Sequence, residues 1–182
     1  MNVPPGKLDC VITYLEMMAQ PTTPTPPIPA GKHALLRAEN PTVSYYRYLY
    51  ETVGTPWLWY ERRLLNDVEL ATIIQDPKIE IFVLYVGGVP AGYSELDRRE
   101  KPDIELSYFG LMPDFIGRGL GRYFLRWSVD QAWTHQPDRL WVHTCNLDHP
   151  RALSLYQKVG FTPYRQASMV IDDPRKTGVL PD

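Results

Sequence analysis

Phe109-Gly-Leu-Met-Pro-Asp-Phe-Ile-Gly-Arg-Gly-Leu-Gly-Arg122 is the stretch on which the reading of this chain turns. An apolar strand runs into a proline-marked turn, glycines follow at 117, 119 and 121, and an apolar-striped helix comes next. Such an arrangement aims unpaired backbone N–H groups and a helix N-terminus at one point, and both favour negative charge. The segment therefore reads as a cradle for phosphate. A P-loop would need Gly-Lys-Ser/Thr, and that triplet occurs nowhere in the chain. A dinucleotide fingerprint would need a small residue three positions after its second glycine. Counted from Gly119 and Gly121 that position is Phe124, and from Gly117 and Gly119 it is Arg122, both too large. What remains is a pyrophosphate loop of another kind, in which Gly119 and Gly121 let the backbone approach its ligand closely.

A second segment, Arg139-Leu-Trp-Val-His-Thr-Cys-Asn-Leu-Asp-His-Pro-Arg-Ala-Leu-Ser-Leu-Tyr-Gln-Lys-Val-Gly-Phe161, reads as a strand and a proline-started helix stopped by Gly160. Ala152, Leu155, Tyr156 and Val159 share one stripe of that helix. The glycine loop followed by Ala-x-x-Leu-Tyr-x-x-x-Gly-Phe resembles the GNAT superfamily of N-acetyltransferases. The specific part of the resemblance covers 104–161. It implies an α/β fold with a mixed, mostly antiparallel sheet flanked by helices, central strands that splay apart, and an acetyl-coenzyme A-binding core over 104–161.

Composition agrees with one domain over 1–182, in which 1–32 holds an N-terminal strand and a proline-rich loop. At 182 residues and 44% hydrophobic the chain can bury one sizeable core. A net charge of −2 and a pI near 6.1 argue against a general nucleic-acid binder. No apolar run reaches membrane-spanning length, and the start of the chain lacks a basic-then-apolar signal pattern. Cys10 and Cys145 are too few for a disulfide framework, which points to a reducing cytoplasm. A homodimer is compatible with the sequence, which leaves oligomeric state open.

In chain order, strands are expected at Val11–Met17 and Ala34–Arg37, with an extended loop over the prolines from Pro21 to Pro29. A helix opened by Asn40-Pro41 and a second helical region over Trp57–Asp76 follow. Strands at Ile79–Val86 and Ala91–Leu96, joined at Gly87-Gly88, precede a strand at Ile104–Met112 and a helix over Gly119–Thr134. A strand at Leu140–Asn146, a helix over 150–159 and one or two strands in Phe161–Ile171 complete the order. Members of the resembled family end in a longer hairpin. The short tail here calls that hairpin into question, and the additional N-terminal strand is a candidate to replace it.

The resemblance implies acetyl-coenzyme A as donor and a primary amine, on a small molecule or a peptide, as acceptor. A lysine-like amine has a reference pKa of about 10.4, so neutralising it at pH 7 costs roughly 4–5 kcal/mol. The site must therefore remove a proton, stabilise a developing oxyanion and assist a departing thiolate. By family position the Phe109 N–H faces the oxyanion, Leu111 and Met112 continue along the pantetheine arm, and the main chain of Gly117, Arg118, Gly119, Leu120, Gly121 and Arg122 holds the pyrophosphate. Arg118 and Arg122 flank the loop as phosphate partners, whereas Arg126, four residues on, reads as part of a solvated helix face. Ile116 stands where the family usually has Gln or Arg, which removes one side-chain contact.

Glu105 is the leading base, six residues before Leu111 as in the family's histone acetyltransferases. Strict alternation puts Glu105, Ser107, Phe109 and Leu111 on one face unless a bulge intervenes. Glu105 and Phe109 would then lie about 13 Å apart, which calls for a water relay. His143 is the reserve base. Tyr156 takes the family's position beside the sulfur. With reference pKa values of about 10 for tyrosine and about 8.5 for a thiol, it is expected to donate a hydrogen bond rather than its proton. Asn146 or His149 is assigned to the pantetheine arm. His143, Cys145 and His149 lack a fourth ligand at standard spacing, so no metal is expected. Of the aromatic cluster Tyr45, Tyr46, Tyr48, Tyr50, Trp57, Trp59 and Tyr60, most members are expected in the core, with Tyr45, Tyr48 and the Trp57–Tyr60 turn left to meet an amine. The competing reading is a domain that binds acyl-coenzyme A without transferring the acyl group.

Overall fold

The structure, a computed structural model, describes residues 3–180. In chain order its elements are β1 (Lys7–Met17), β2 (His33–Arg37), α1 (Val43–Gly54), α2 (Asp67–Ile74), β3 (Ile79–Val86), β4 (Val89–Asp97), β5 (Asp103–Leu111), α3 (Leu120–Trp133), β6 (Arg139–Cys145), α4 (Ala152–Val159) and β7 (Thr162–Asp172). The strands form one sheet in the order β2-β3-β4-β5-β6-β1-β7. Every neighbouring pair is antiparallel except β5 and β6. Helices cover both faces. Tyr46, Leu49, Tyr50 and Val53 of α1 and Leu70 and Ile74 of α2 pack with Ile79, Ile81, Val83 and Tyr93 on one side. Leu125, Val129 and Ala132 of α3 and Tyr156 and Val159 of α4 pack with Leu15, Leu106, Leu140 and Val142 on the other. Burial from both sides explains the unbroken apolar run Ile81–Val86 of β3.

Helix starts follow side-chain capping. Thr42 accepts from the Tyr45 N–H at 3.3 Å, so α1 begins past Asn40-Pro41, with Asn40 left-handed at φ 46°. Asn66 and Glu69 form a capping box at α2. The continuous helical region expected over Trp57–Asp76 is instead two short 3-10 turns, Thr55–Trp57 and Glu61–Leu64, followed by α2. The chain doubles back because Gly54 has no side chain. A Cβ there would stand 2.4 Å from the Trp59 ring, and the main-chain N–H of Trp59 donates to the Gly54 carbonyl at 3.1 Å.

Two features of β5 and β6 shape the centre of the molecule. Their parallel pairing spans three residue pairs only, Asp103–Arg139, Ile104–Leu140 and Glu105–Trp141, and beyond it the strands part. On its other side β5 pairs Leu106 with Leu96 and Tyr108 with Glu95, so Ser107 is an extra residue in a bulge. The bulge corrects the strict alternation expected from sequence. Leu106 and Phe109 pack toward α3, whereas Tyr108 packs toward α1.

Among the described residues the last strand, β7, is not followed by a hairpin partner. β1 lies between β6 and β7 and pairs antiparallel with both, so the N-terminal strand occupies the place beside β6. The proline segment is irregular, as expected, but it is not loose. Arg126, buried at 6% exposure and not on a solvated helix face, donates to the Pro21 carbonyl, Thr23 Oγ1 and Asp130 Oδ1 at 3.0–3.1 Å. Thr25 Oγ1 donates to Asp130 as well. The strap thus runs along α3 and brings Pro29 up to Gly119. Replacing Arg126 with Met keeps the aliphatic stem but strands these acceptors. Arg126→Met is expected to cost about 1–3 kcal/mol in denaturant unfolding and to admit protease within residues 20–31.

Candidate active site

Where β5 and β6 part, a cavity of about 680 Å³ opens between them. One wall is the free edge of β5. The Met112 N–H donates to the Ala91 carbonyl of β4 at 2.8 Å, and peptide groups alternate in direction along a strand. The amides of Phe109 and Leu111 therefore face away from β4, into the gap. Met112 itself does not share this position: its N–H is taken by Ala91, its carbonyl accepts from Phe115, and its side chain is buried against α1. The assignment of Met112 to the pantetheine arm is corrected accordingly.

Gly117, Gly119, Gly121 and Arg122 form the next wall. Gly117 and Gly119 have φ of 84° and 77°, which side chains rarely adopt. The N-terminus of α3 has no side-chain cap, and among the described residues the N–H groups of Gly117, Arg118 and Gly119 have no main-chain partner. Arg122, with Arg151 and Lys158 of the α4 region, supplies the arginine and lysine residues among the described lining of the cavity. Leu120 offers only its main chain, since its side chain is buried. Arg118 is exposed outside the cavity lining, its guanidinium 4.9 Å from the centre of the Phe115 ring. Ile116 lines the rim.

Tyr156 points from α4 into the middle of the cavity, its ring 6.5 Å from that of Phe109. Burial, with the Asp148 carboxylate adding to it, pushes its phenol well above the usual range, so it remains a proton-bearing donor at neutral pH. His143 also lines the cavity. Its Nδ1 lies 3.3 Å from Glu105 Oε1, and this contact raises the imidazole above its usual value against the opposing effect of burial. Glu105 stands behind His143, outside the lining. The rings of Tyr14 and Trp141 brace the imidazole at 5.9 and 6.1 Å.

Asn146 is drawn away from the cavity. Its side chain accepts from the Val11 N–H at 2.8 Å and donates to the Asp9 carbonyl at 3.0 Å, tying the end of β6 to β1. His149, the other residue assigned to the pantetheine arm, does line the cavity, with Trp57 4.8 Å away. Cys10 and Cys145 face the cavity together. Burial pushes the Cys145 thiol up to about 12 and raises that of Cys10, so neither is a ready thiolate. Among the described residues no group of three or more His, Cys, Asp or Glu side chains is placed to hold a metal ion. Tyr45 and Tyr48 lie elsewhere, bonded to Tyr85 and Met112, while Trp57, Leu58, Trp59 and Tyr60 line the cavity.

Sequence reasoning missed two lining carboxylates, Glu61 and Asp148. Asp148 accepts from Trp59 Nε1 at 3.1 Å, Thr144 Oγ1 at 2.8 Å and the Cys145 N–H at 2.9 Å. The only signal for it was its place in the Asn-Leu-Asp-His-Pro turn after β6, where an aspartate commonly bonds nearby backbone. Glu61 carries no signal in sequence. Because Glu105 stabilises the charged imidazole, removing its charge must lower the His143 pKa. An NMR titration of His143 is expected to give a midpoint above 6.5 in the native protein and a lower one in Glu105→Gln.

Residues 42–161 match the acetyltransferase (GNAT) family. Among sequence relatives are uncharacterised N-acetyltransferases of Mycobacterium tuberculosis and Mycobacterium bovis, each 29% identical over 97 residues. The match spans 53% of this chain and 62% of each of those proteins. Two solved structures share the fold at low identity. A GCN5-related N-acetyltransferase from Kribbella flavida superposes with a TM-score of 0.62 at 16% identity, covering 93% of this chain and 60% of that one. The ribosomal-protein-S18-alanine N-acetyltransferase from Escherichia coli superposes with a TM-score of 0.60 at 15% identity, covering 78% and 94%. With the glycine loop, the splayed strands and the family match in agreement, the chain belongs to the acetyltransferase (GNAT) family.

Proposed function

We propose that the protein is an N-acetyltransferase that moves the acetyl group of acetyl-coenzyme A to a primary amine by direct attack within a ternary complex. One observation carries the reading: unpaired amides of β5, an uncapped glycine loop, Tyr156 and His143 all face a single cavity between parting strands. The amides of the glycine loop and the start of α3 hold the pyrophosphate, with Arg122, Arg151 and Lys158 nearby to balance its charge. The pantetheine arm then runs along the free edge of β5 past Leu111 and brings the thioester to the Phe109 N–H.

His143, held in orientation by Glu105, accepts a proton from the bound ammonium. This revises the role expected of Glu105 from base to positioning residue. The freed amine attacks the thioester carbonyl, forming the new C–N bond while charge builds on oxygen beside the Phe109 N–H. Collapse of the tetrahedral centre breaks the C–S bond, and the electron pair leaves with sulfur. Tyr156, kept protonated by burial, donates a hydrogen bond to the departing thiolate. The acetylated amine gives up its remaining extra proton to solvent. The raised thiols of Cys10 and Cys145 argue against an acetyl-enzyme, and no metal is required. The acceptor is an amine of a small molecule or peptide, not nucleic acid or membrane, and the setting proposed is the cytoplasm.

Ile116 favours the alternative of an acyl-coenzyme A-binding domain without transfer, because it withholds a polar side chain from the loop. Thiol release with an amine panel separates the two. Acetyl-coenzyme A binding by calorimetry together with thiol release supports transfer, binding without release supports the alternative, and absence of binding defeats both. For an active enzyme, His143→Ala is expected to lower kcat by about a hundredfold or more. Tyr156→Phe is expected to lower it by about tenfold, a hydrogen bond's worth, with affinity for coenzyme A little changed. The rate should rise with pH through the His143 pKa, because the neutral imidazole is the active form, and Glu105→Gln should move that rise to lower pH.

A further inference from the structure

We infer that Asp148 is a positioning residue of the cavity: it fastens the Trp57–Tyr60 turn to the end of β6 and so sets the width of the gap that β5 and β6 leave between them. The inference rests on the transferase reading, since it takes the pantetheine arm to lie in that gap. The two strands pair only through Asp103–Arg139, Ile104–Leu140 and Glu105–Trp141, so main-chain bonds fix their separation at one end alone. Past that point side chains set the distance. Asp148 bridges the gap with both carboxylate oxygens. Its Oδ1 accepts from Trp59 Nε1 at 3.1 Å, and its Oδ2 accepts from Thr144 Oγ1 at 2.8 Å and the Cys145 N–H at 2.9 Å. Bonds to an ionised carboxylate are among the stronger ones a side chain makes. A second contact runs beside them, with the rings of Trp57 and His149 4.8 Å apart. All six residues line the cavity.

Both ends of the bridge are firmly seated. On the β5 side, the Trp59 ring lies 5.1 Å from that of Tyr108 and 5.6 Å from that of Tyr50. It reaches Gly110 of β5 as well, where an added Cβ would stand 3.7 Å from the ring. The chain just beyond is tied to β4 by Arg62, which donates to the fully buried Glu95 at 2.7 Å. On the β6 side, the Asp148 N–H donates to the Cys145 carbonyl at 3.1 Å, closing the turn on itself, and Asn146 within that turn is bonded to β1. The end of β6 is therefore held from two directions, by β1 through Asn146 and by Trp59 through Asp148. A gap kept at one width is ready for the arm before it arrives, whereas a gap free to vary must be ordered on binding at a cost in affinity. Because both Asp148 oxygens are occupied, it acts through Trp59 and β6, not by exchanging protons with substrate.

Calorimetry with coenzyme A and with 3′-phospho-ADP, which keeps the phosphates and lacks the arm, tests this on the native protein, Asp148→Ala, Trp59→Phe and the double variant. Trp59→Phe removes the indole N–H but keeps a ring for Tyr50 and Tyr108 and both bonds of Asp148 to β6, so it decides the matter by itself if Asp148→Ala does not fold. Each single variant is expected to bind coenzyme A about tenfold more weakly. Affinity for 3′-phospho-ADP should stay within about twofold of native, and the double variant should match Asp148→Ala because both changes break one bond. Unchanged coenzyme A affinity in Trp59→Phe, an equal loss for both ligands, or losses that multiply in the double variant overturn the inference and leave the transferase reading standing. So does tighter binding of both ligands in Asp148→Ala, the mark of a carboxylate that acts only by repelling anions. A native protein that binds neither ligand counts against the transferase reading itself, and the inference falls with it.

Discussion

Past Glu105, strand β5 has a neighbour on one side only, and the rest of the molecule is arranged around that missing partner. Peptide groups on an inner strand demand hydrogen bonds, and a gap in the middle of a sheet would ordinarily close. Here it is held open from both strands. On β5 the Ser107 bulge turns Tyr108 onto Tyr50 and Trp59 on one face and Phe109 onto Phe124 on the other. On β6 the amide of Asn146 pulls the strand end toward β1 through two hydrogen bonds. The sheet is wedged on one side and drawn away on the other. The amides of Phe109 and Leu111 are left facing the opening.

The electrostatics follow the same geometry. A glycine loop and an uncapped helix start provide positive potential without side chains, and Arg122, Arg151 and Lys158 line the same cavity. The nearby carboxylates are held in turn: Glu105 by His143, and Asp148 by Trp59 and the Cys145 N–H. Tyr156 and His143 line this same cavity.

How far the chain could be read varies with the range of the interaction concerned. The glycine loop and the helix around Tyr156 were legible because their signals are local: a left-handed backbone at Gly117 and Gly119, and an apolar stripe closed by Gly160. The bulge was not, because Glu-Leu-Ser-Tyr-Phe looks like ordinary alternation and only the register against β4 inserts Ser107. Arg126 and Asn146 were misjudged for a related reason. Their partners lie more than a hundred residues away, in the proline strap and in β1. Glu61 was invisible, since a charged residue in a turn after a tryptophan-rich stretch looks like any solvated surface position.

The place of β1 has a consequence for how the molecule assembles. The first of the seven strands in chain order has the last two as its sheet neighbours, and Lys7 meets Asp172 across 165 positions of chain. Until those neighbours exist, an eleven-residue strand with buried Leu15 and Met17 has no sheet to join. Such long closures slow folding, since the entropy of bringing distant segments together must be spent before their contacts form. The β2–β5 meander, built from neighbours in sequence, can fold ahead of it. The half of the sheet that completes the active cavity is then the half that comes together last.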